Sequence, residues 1–180
     1  MYAAACMAVW GFLRPSELVG SAKHRDRYLK LRQVKAFSDS GAKQEIQWLS
    51  YGQQPMVIEA KLEVTKTTPD GRGRSILYTH PTVVTAIWNW LQLIQVFAGN
   101  TKEGLGEYPV FFHPSQATLV NHPKKLHLNE LLTTLKSKLA AINLTSPEFI
   151  LKGKSFRRGG ASALAAAGAR EGDIQAAGGW

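Results

Sequence analysis

Apolar positions fall into blocks of two different periods along this chain. Residues 1–13, MYAAACMAVWGFL, carry no charge and are almost continuously apolar, the pattern of a helix buried all round. Pro15 and Ser16 interrupt it. SELVG then reads as a short second helix with Ser16 as N-cap, which leaves Arg14 at a helix-to-helix turn. From Leu31 to His80 the pattern changes to alternation and β-branched residues, and EIQWLSY, MVIEAKLEV and RSILYTH are predicted strands. Between the last two lies TKTTPDGRG, whose Pro69-Asp70-Gly71 predicts a hairpin turn with Lys66 near its tip. Helical spacing returns in PTVVTAIWNWLQLIQVFAG, closed by Gly99, and in LHLNELLTTLKSKLAAI, with NTKEGLGEYP as loop. Two helices close the chain, one from about Ser155 to Ala167 ended by Gly168, and a short one around Asp173 to Ala177. With no repeat and no low-complexity tract, the pattern predicts one mainly α domain with a small three-stranded antiparallel β-sheet.

Composition adds a class of partner to this outline only through charge. The 180 residues are 44% hydrophobic and 19% charged, enough for a packed core. Lys and Arg number 22 against 13 Asp and Glu, a net charge of +9, and a domain this basic commonly meets nucleic acid. Seven cations (Arg14, Lys23, Arg25, Arg27, Lys30, Arg32 and Lys35) lie within one stretch holding two anions, Glu17 and Asp26. A DNA-binding surface and a solvated basic face both fit that run. A single cysteine, Cys6, excludes an internal disulfide framework. The apolar opening is too short to cross a bilayer and lacks the basic start of a secretory signal. A chain that begins inside its own core suggests that something precedes it.

The stretch ILKGKSFRRGGASALAAAG, Ile150 to Gly168, holds the densest candidate chemistry. Its Gly-Lys-Ser is not the end of a nucleotide-binding loop, because the glycine required five residues earlier is Glu148, which would repel phosphate. His24, His80, His113, His122 and His127 show no ligand spacing, and no acidic cluster offers to hold magnesium for phosphodiester cleavage. Side-chain cations are left. Ser155 can cap a helix whose first turn carries Phe156, Arg157 and Arg158, where the helix dipole adds to guanidinium charge and favours an anion. Gly159 and Gly160 would allow another backbone to approach. An ordinary basic helix start with a small-residue packing face is the other reading of the same residues.

Three separated pieces resemble the tyrosine recombinases, the DNA strand-exchange enzymes. FLRPSEL is similar to their first arginine motif, VTKT before a hairpin turn to their sheet lysine, and KSFRRGGASALAAAG followed by IQAAGGW to their second arginine motif and the segment after it. The pieces stand in the family's order and span nearly the whole chain; SFRRGGA and AAGGW are especially similar to phage and mobile-element members. The resemblance implies attack of a tyrosine hydroxyl on a DNA phosphate, giving a 3′-phosphotyrosyl link and a free 5′ hydroxyl without metal, ATP or other cofactor. Arg14 and Arg157 match the paired arginines on the non-bridging oxygens, for which planar bidentate donors are suited. Lys66 matches the lysine that protonates the leaving oxygen, Glu17 an orienting acid one turn from Arg14, and Trp180 a position whose ring N–H reaches the phosphate. On their residues alone, Lys66 also reads as a solvated turn lysine and Trp180 as a packing residue. Lys23, Arg25, Arg27 and Arg158 are the further DNA-binding candidates.

Two positions depart from the family pattern. Where it usually has His, three residues before the second arginine, this chain has Lys154; a lysine, ordinarily near pKa ~10.4, is a poor general base at neutral pH. The family's nucleophile follows the His or Trp position by roughly nine residues, about two and a half helical turns. Tyr2, Tyr28, Tyr51, Tyr78 and Tyr108 do not match that position. The expectation is therefore an incomplete recombinase catalytic domain over 1–180, without the family's N-terminal DNA-clamping domain and C-terminal tyrosine helix, and inactive by itself. The implied partner is double-stranded DNA, at an intracellular location and with no membrane. The full-length protein is expected to be a homotetramer on DNA and this chain a monomer. A non-enzymatic DNA-binding remnant and a type IB topoisomerase-like domain are the alternatives; Lys154 leans toward the second.

Overall fold

The computed structural model describes residues 1–21, 28–38, 43–44, 54–63, 73–98, 105–113, 124–146 and 150–178. Six α-helices and four strands occur among them: α1 (Tyr2–Trp10), α2 (Pro15–Leu18), β1 (Val34–Phe37), β2 (Lys43–Gln44), β3 (Val57–Leu62), β4 (Arg74–Tyr78), α3 (Pro81–Ala98), α4 (Leu128–Ala141), α5 (Gly153–Ala166) and α6 (Glu171–Gly178). The mainly helical character and the small antiparallel sheet agree with the hydrophobic pattern. The sheet order is β2-β1-β3-β4. Its three longer strands include β3 and β4 from the predicted set, paired from Ile58↔Tyr78 to Leu62↔Arg74. The third is β1, paired to β3 from Val34↔Ala60 to Phe37↔Val57, with two-residue β2 on its outer edge. The predicted strand EIQWLSY lies outside the described residues, as does the turn carrying Lys66.

Alternation orients the sheet. Ile58, Ala60 and Leu62 on β3, and Ile76 and Tyr78 on β4, point into one core with α1, α3 and the segment around Phe111. The apolar opening packs as its composition predicts: Ala4, Met7 and Ala8 of α1 are fully buried. α1 lies between α3 and α5. The buried Tyr78 hydroxyl donates to the Met7 carbonyl at 3.1 Å, joining β4 to α1. A Cβ on Gly11 would sit 2.5 Å from that hydroxyl oxygen, so the residue ending α1 must be glycine-sized.

Helix starts differ from the predicted ones in a consistent way. Pro15 occupies the first helical position of α2, so Arg14, in an extended conformation, is the N-cap instead of Ser16. The proline's fixed φ suits that position and it has no N–H to leave unpaired. α5 begins with Gly153 after the N-cap Lys152, earlier than predicted, and Ser155 is its third residue. The Ser155 hydroxyl accepts the Lys152 N–H at 3.0 Å, so it reaches back to the cap instead of being it. Arg157 and Arg158 therefore stand in the second turn, where the N-terminal dipole has largely faded. Residues 105–107, predicted as loop, form a single 3-10 turn.

Candidate functional site

Arg14 and Arg157 are brought into one neighbourhood by two close packings. The first is between α2 and the start of α5, where a Cβ on Gly153 would touch Pro15 and Leu128 at 3.9 Å. The second is between α1 and α5 at Gly160, where an added Cβ would land on the Val9 carbonyl oxygen and lie 3.4 Å from the Phe12 ring. Gly160 is thus the close-approach glycine of the pair. Gly159 faces open space, with nothing within 4 Å of a Cβ there. Phe12 itself is buried with φ of 52°, a left-handed turn that ends α1 and sends the chain toward Arg14.

Glu17 organises the Arg14 side of the site. Its carboxylate accepts the Arg14 backbone N–H at 2.7 Å and lies 3.9 Å from the Arg14 guanidinium. The carboxylate is largely buried, whereas the Arg14 side chain is 37% exposed and can meet a ligand. The orienting role expected of Glu17 has this physical form: it fixes the N-cap backbone first and the guanidinium second.

The Arg157 side is built differently. Arg157 is 7% exposed, one of two buried polar or charged side chains among the described residues. It donates to the Gly178 carbonyl at 2.6 Å. Burial draws its pKa below the ordinary arginine value; the Glu17 carboxylate opposes that shift, and the nearby Arg14 and Arg74 cations reinforce it. Arg14, Glu17, Arg74 and Arg157 therefore form one electrostatic cluster. Arg74, at the start of β4, donates to the carbonyls of Ala177 and, at 3.2 Å, Gly178. These are the last carbonyls of α6, which lack partners within the helix and carry the negative end of its dipole.

Arg74 was not among the residues singled out in the sequence, although a signal was there. In RSILY the inward positions are Ile76 and Tyr78, and period-two alternation puts Arg74 on that same core-facing side. A charge at the rim of a buried face needs a partner, and its partner is the end of α6.

Lys154 and Arg158 are exposed on α5. Lys66, Lys23, Arg25, Arg27 and Trp180 lie outside the described residues. Part of the basic run forms a surface ion-pair network. Lys30 and Arg32 reach Glu107 at 2.6 and 2.7 Å, and Arg32 also reaches Glu63 at 3.1 Å. The Lys30 hydrogen bond, with the Lys30 and Arg32 charges, holds the Glu107 carboxyl below its ordinary pKa. Tyr78 is electrostatically close to Arg74 and Glu17, but burial pushes its hydroxyl pKa far up, and its O–H donates a hydrogen bond to the Met7 carbonyl. It is a structural tyrosine. Among the described residues no group of three His, Cys, Asp or Glu could hold a metal ion, and no helix is long and apolar enough to cross a membrane.

No protein-family model matches the chain, and no curated protein matches its sequence.

Proposed function

We propose that the chain is the phosphate-holding core of a DNA strand-cleaving and -rejoining domain of the tyrosine recombinase type. The observation that carries the reading is the convergence of Arg14, Glu17 and Arg157, from opposite ends of the sequence, on one electrostatic cluster. A cluster rich in guanidinium groups and holding a single carboxylate suits a phosphodiester, whose transition state gathers charge on its non-bridging oxygens. In this reading Arg14 and Arg157 hold those oxygens while a tyrosine oxygen bonds to phosphorus and the 5′ oxygen leaves. Lys66 gives the leaving oxygen its proton, and Lys154 adds charge at the exposed start of α5. Trp180 completes the phosphate contacts.

A second reading is a DNA-binding module without strand chemistry. Its support is Tyr78, the tyrosine whose titration feels Arg74 and Glu17 and whose hydroxyl is buried against Met7. Both readings require duplex DNA as the partner.

Titrating a labelled duplex into the chain tests that shared requirement. Log affinity should fall linearly with log salt concentration, and Arg14→Ala should lower the slope by about one. An affinity indifferent to salt, or an unchanged slope in Arg14→Ala, would overturn the DNA reading. The chemistry is tested by trapping a covalent adduct on a nicked duplex, in a form of the protein that carries the tyrosine nucleophile. Arg157→Ala should abolish the adduct; near-normal trapping would show that Arg157 is not part of the clamp.

A further inference from the structure

Helix α6 is held mainly by polar contacts at its end. Ile174 and Ala177 are half-buried and Gly178 is buried, while the rest of the helix is exposed. So little buried apolar surface docks a helix only weakly. Its last carbonyls, which have no partner within a helix, are taken by side chains of two other elements. Arg74 of β4 donates to the Ala177 carbonyl and, at 3.2 Å, to that of Gly178. Arg157 of α5 donates to the Gly178 carbonyl at 2.6 Å. Gly73 sets the backbone from which Arg74 reaches: its φ of 69° is left-handed, and a Cβ there would collide with the Leu62 carbonyl. The β3–β4 ladder runs up to Leu62↔Arg74, so this donor stands at the end of a paired strand.

The anchored carbonyls lead into Gly178-Gly179-Trp180. Two glycines leave a backbone free to take many directions. Whatever fixes the Gly178 carbonyl also fixes the plane of the peptide unit joining Gly178 to Gly179. We propose that Arg74 is a positioning residue for the DNA site: by holding the Ala177 and Gly178 carbonyls it sets the direction in which the chain leaves α6 toward Trp180. The inference rests on the DNA reading above, in which Trp180 contacts a phosphate, and it gives Arg74 no contact with DNA. A guanidinium suits the role because its planar fork donates to two neighbouring carbonyls at once. A lysine ammonium, a point charge on a flexible stem, carries the same charge without that fixed geometry.

The test is a double-mutant cycle in the whole chain with Arg74→Lys, Trp180→Phe and the two combined. Lys keeps the charge and removes the fork, so a loss of affinity reports geometry; Phe keeps a ring and removes the ring N–H. With labelled duplex DNA at low salt, each single variant should weaken binding by about fivefold. The double variant should bind no more weakly than either, because a misdirected Trp180 has nothing left to lose. Losses that multiply, or an unchanged affinity in Arg74→Lys, would overturn the proposal. Amide exchange without DNA is the second measurement. Exchange should quicken in α6 of Arg74→Lys while the α3 and β3 amides keep their protection; unchanged exchange in α6 would overturn Arg74 as its anchor. A wild-type chain that binds no duplex overturns the DNA reading and the role of Trp180 with it. Faster α6 exchange in Arg74→Lys would then still establish Arg74 as the residue that holds α6.

Discussion

Around Arg14, the contacts that shape the site are made within a few residues of chain, whereas around Arg157 they come from distant segments. Pro15 fixes the first helical turn, and Glu17 reaches back three residues to the Arg14 N–H. Arg157 instead donates to Gly178, 21 positions on, and meets Arg74 from the start of β4 there. The first region leaves a guanidinium half-open to solvent and the second buries one. The difference teaches that two arginines with one expected role can carry very different structural loads. Removing Arg14 should cost binding and little stability, and removing Arg157 should cost both.

The strongest way to break this comparison is at the helix crossing that holds the second region together. Gly160→Ala drives a methyl group into the Val9 carbonyl between α5 and α1 and should destabilise the chain by about 3 kcal/mol, measured by denaturant unfolding. Gly159→Ala, one residue away and open to space, should stabilise by about 0.5–1 kcal/mol through helix propensity alone. Similar effects from the two would mean that α1 and α5 do not cross as described.

Next in size is the contrast between the two arginines. Arg157→Met removes a charge-assisted hydrogen bond to the end of α6 and should cost about 2 kcal/mol. Amide exchange should rise in α6 while the α3 and β3 amides keep their protection. Arg14→Ala, with an exposed guanidinium 3.9 Å from its partner, should cost less than about 1 kcal/mol. Equal losses in a denaturant titration would erase the distinction between a locally built region and a tertiary one.

The smallest effect belongs to a local device outside the site. The Glu130 carboxylate accepts the His127 N–H at 2.9 Å at the start of α4. That backbone hydrogen bond is the main reason its pKa lies below the ordinary carboxylate value, with His113 and Lys124 adding to it. The folded-state pKa lies below the unfolded one, so the contribution is complete above the ordinary carboxylate range. It is lost as pH falls through the folded value. Glu130→Gln should therefore cost about 0.5 kcal/mol near neutral pH and nothing in strong acid. A penalty that persists in acid would show that the capping contact is not electrostatic.

Legibility in the sequence follows the range of the interactions. Helices α3 and α4, strands β3 and β4, and the breaks at Pro15 and Gly168 were readable because hydrophobic spacing and breaker residues act over a few residues. Helix starts were misplaced by small shifts where serine competed with another device: Pro15 at the first position of α2, and a Ser155 hydroxyl pointing back to Lys152. Strand β1 was not singled out, since VKAF is short and its pairing with β3 is what makes it a strand. Glu17 was legible as a partner of Arg14 because one helical turn separates them. Arg74 was not, because its partners lie at the other end of the chain.

The sequence by itself determined the helical and alternating segments, the excess of positive charge and the candidate arginines, all properties of residue type and short spacing. Only the tertiary structure decided which glycine lets α1 and α5 touch, that Arg157 is buried where Arg14 is open, and that Arg74 joins them at the end of α6. Those outcomes depend on which backbones come within contact distance, and that is fixed by packing the whole core.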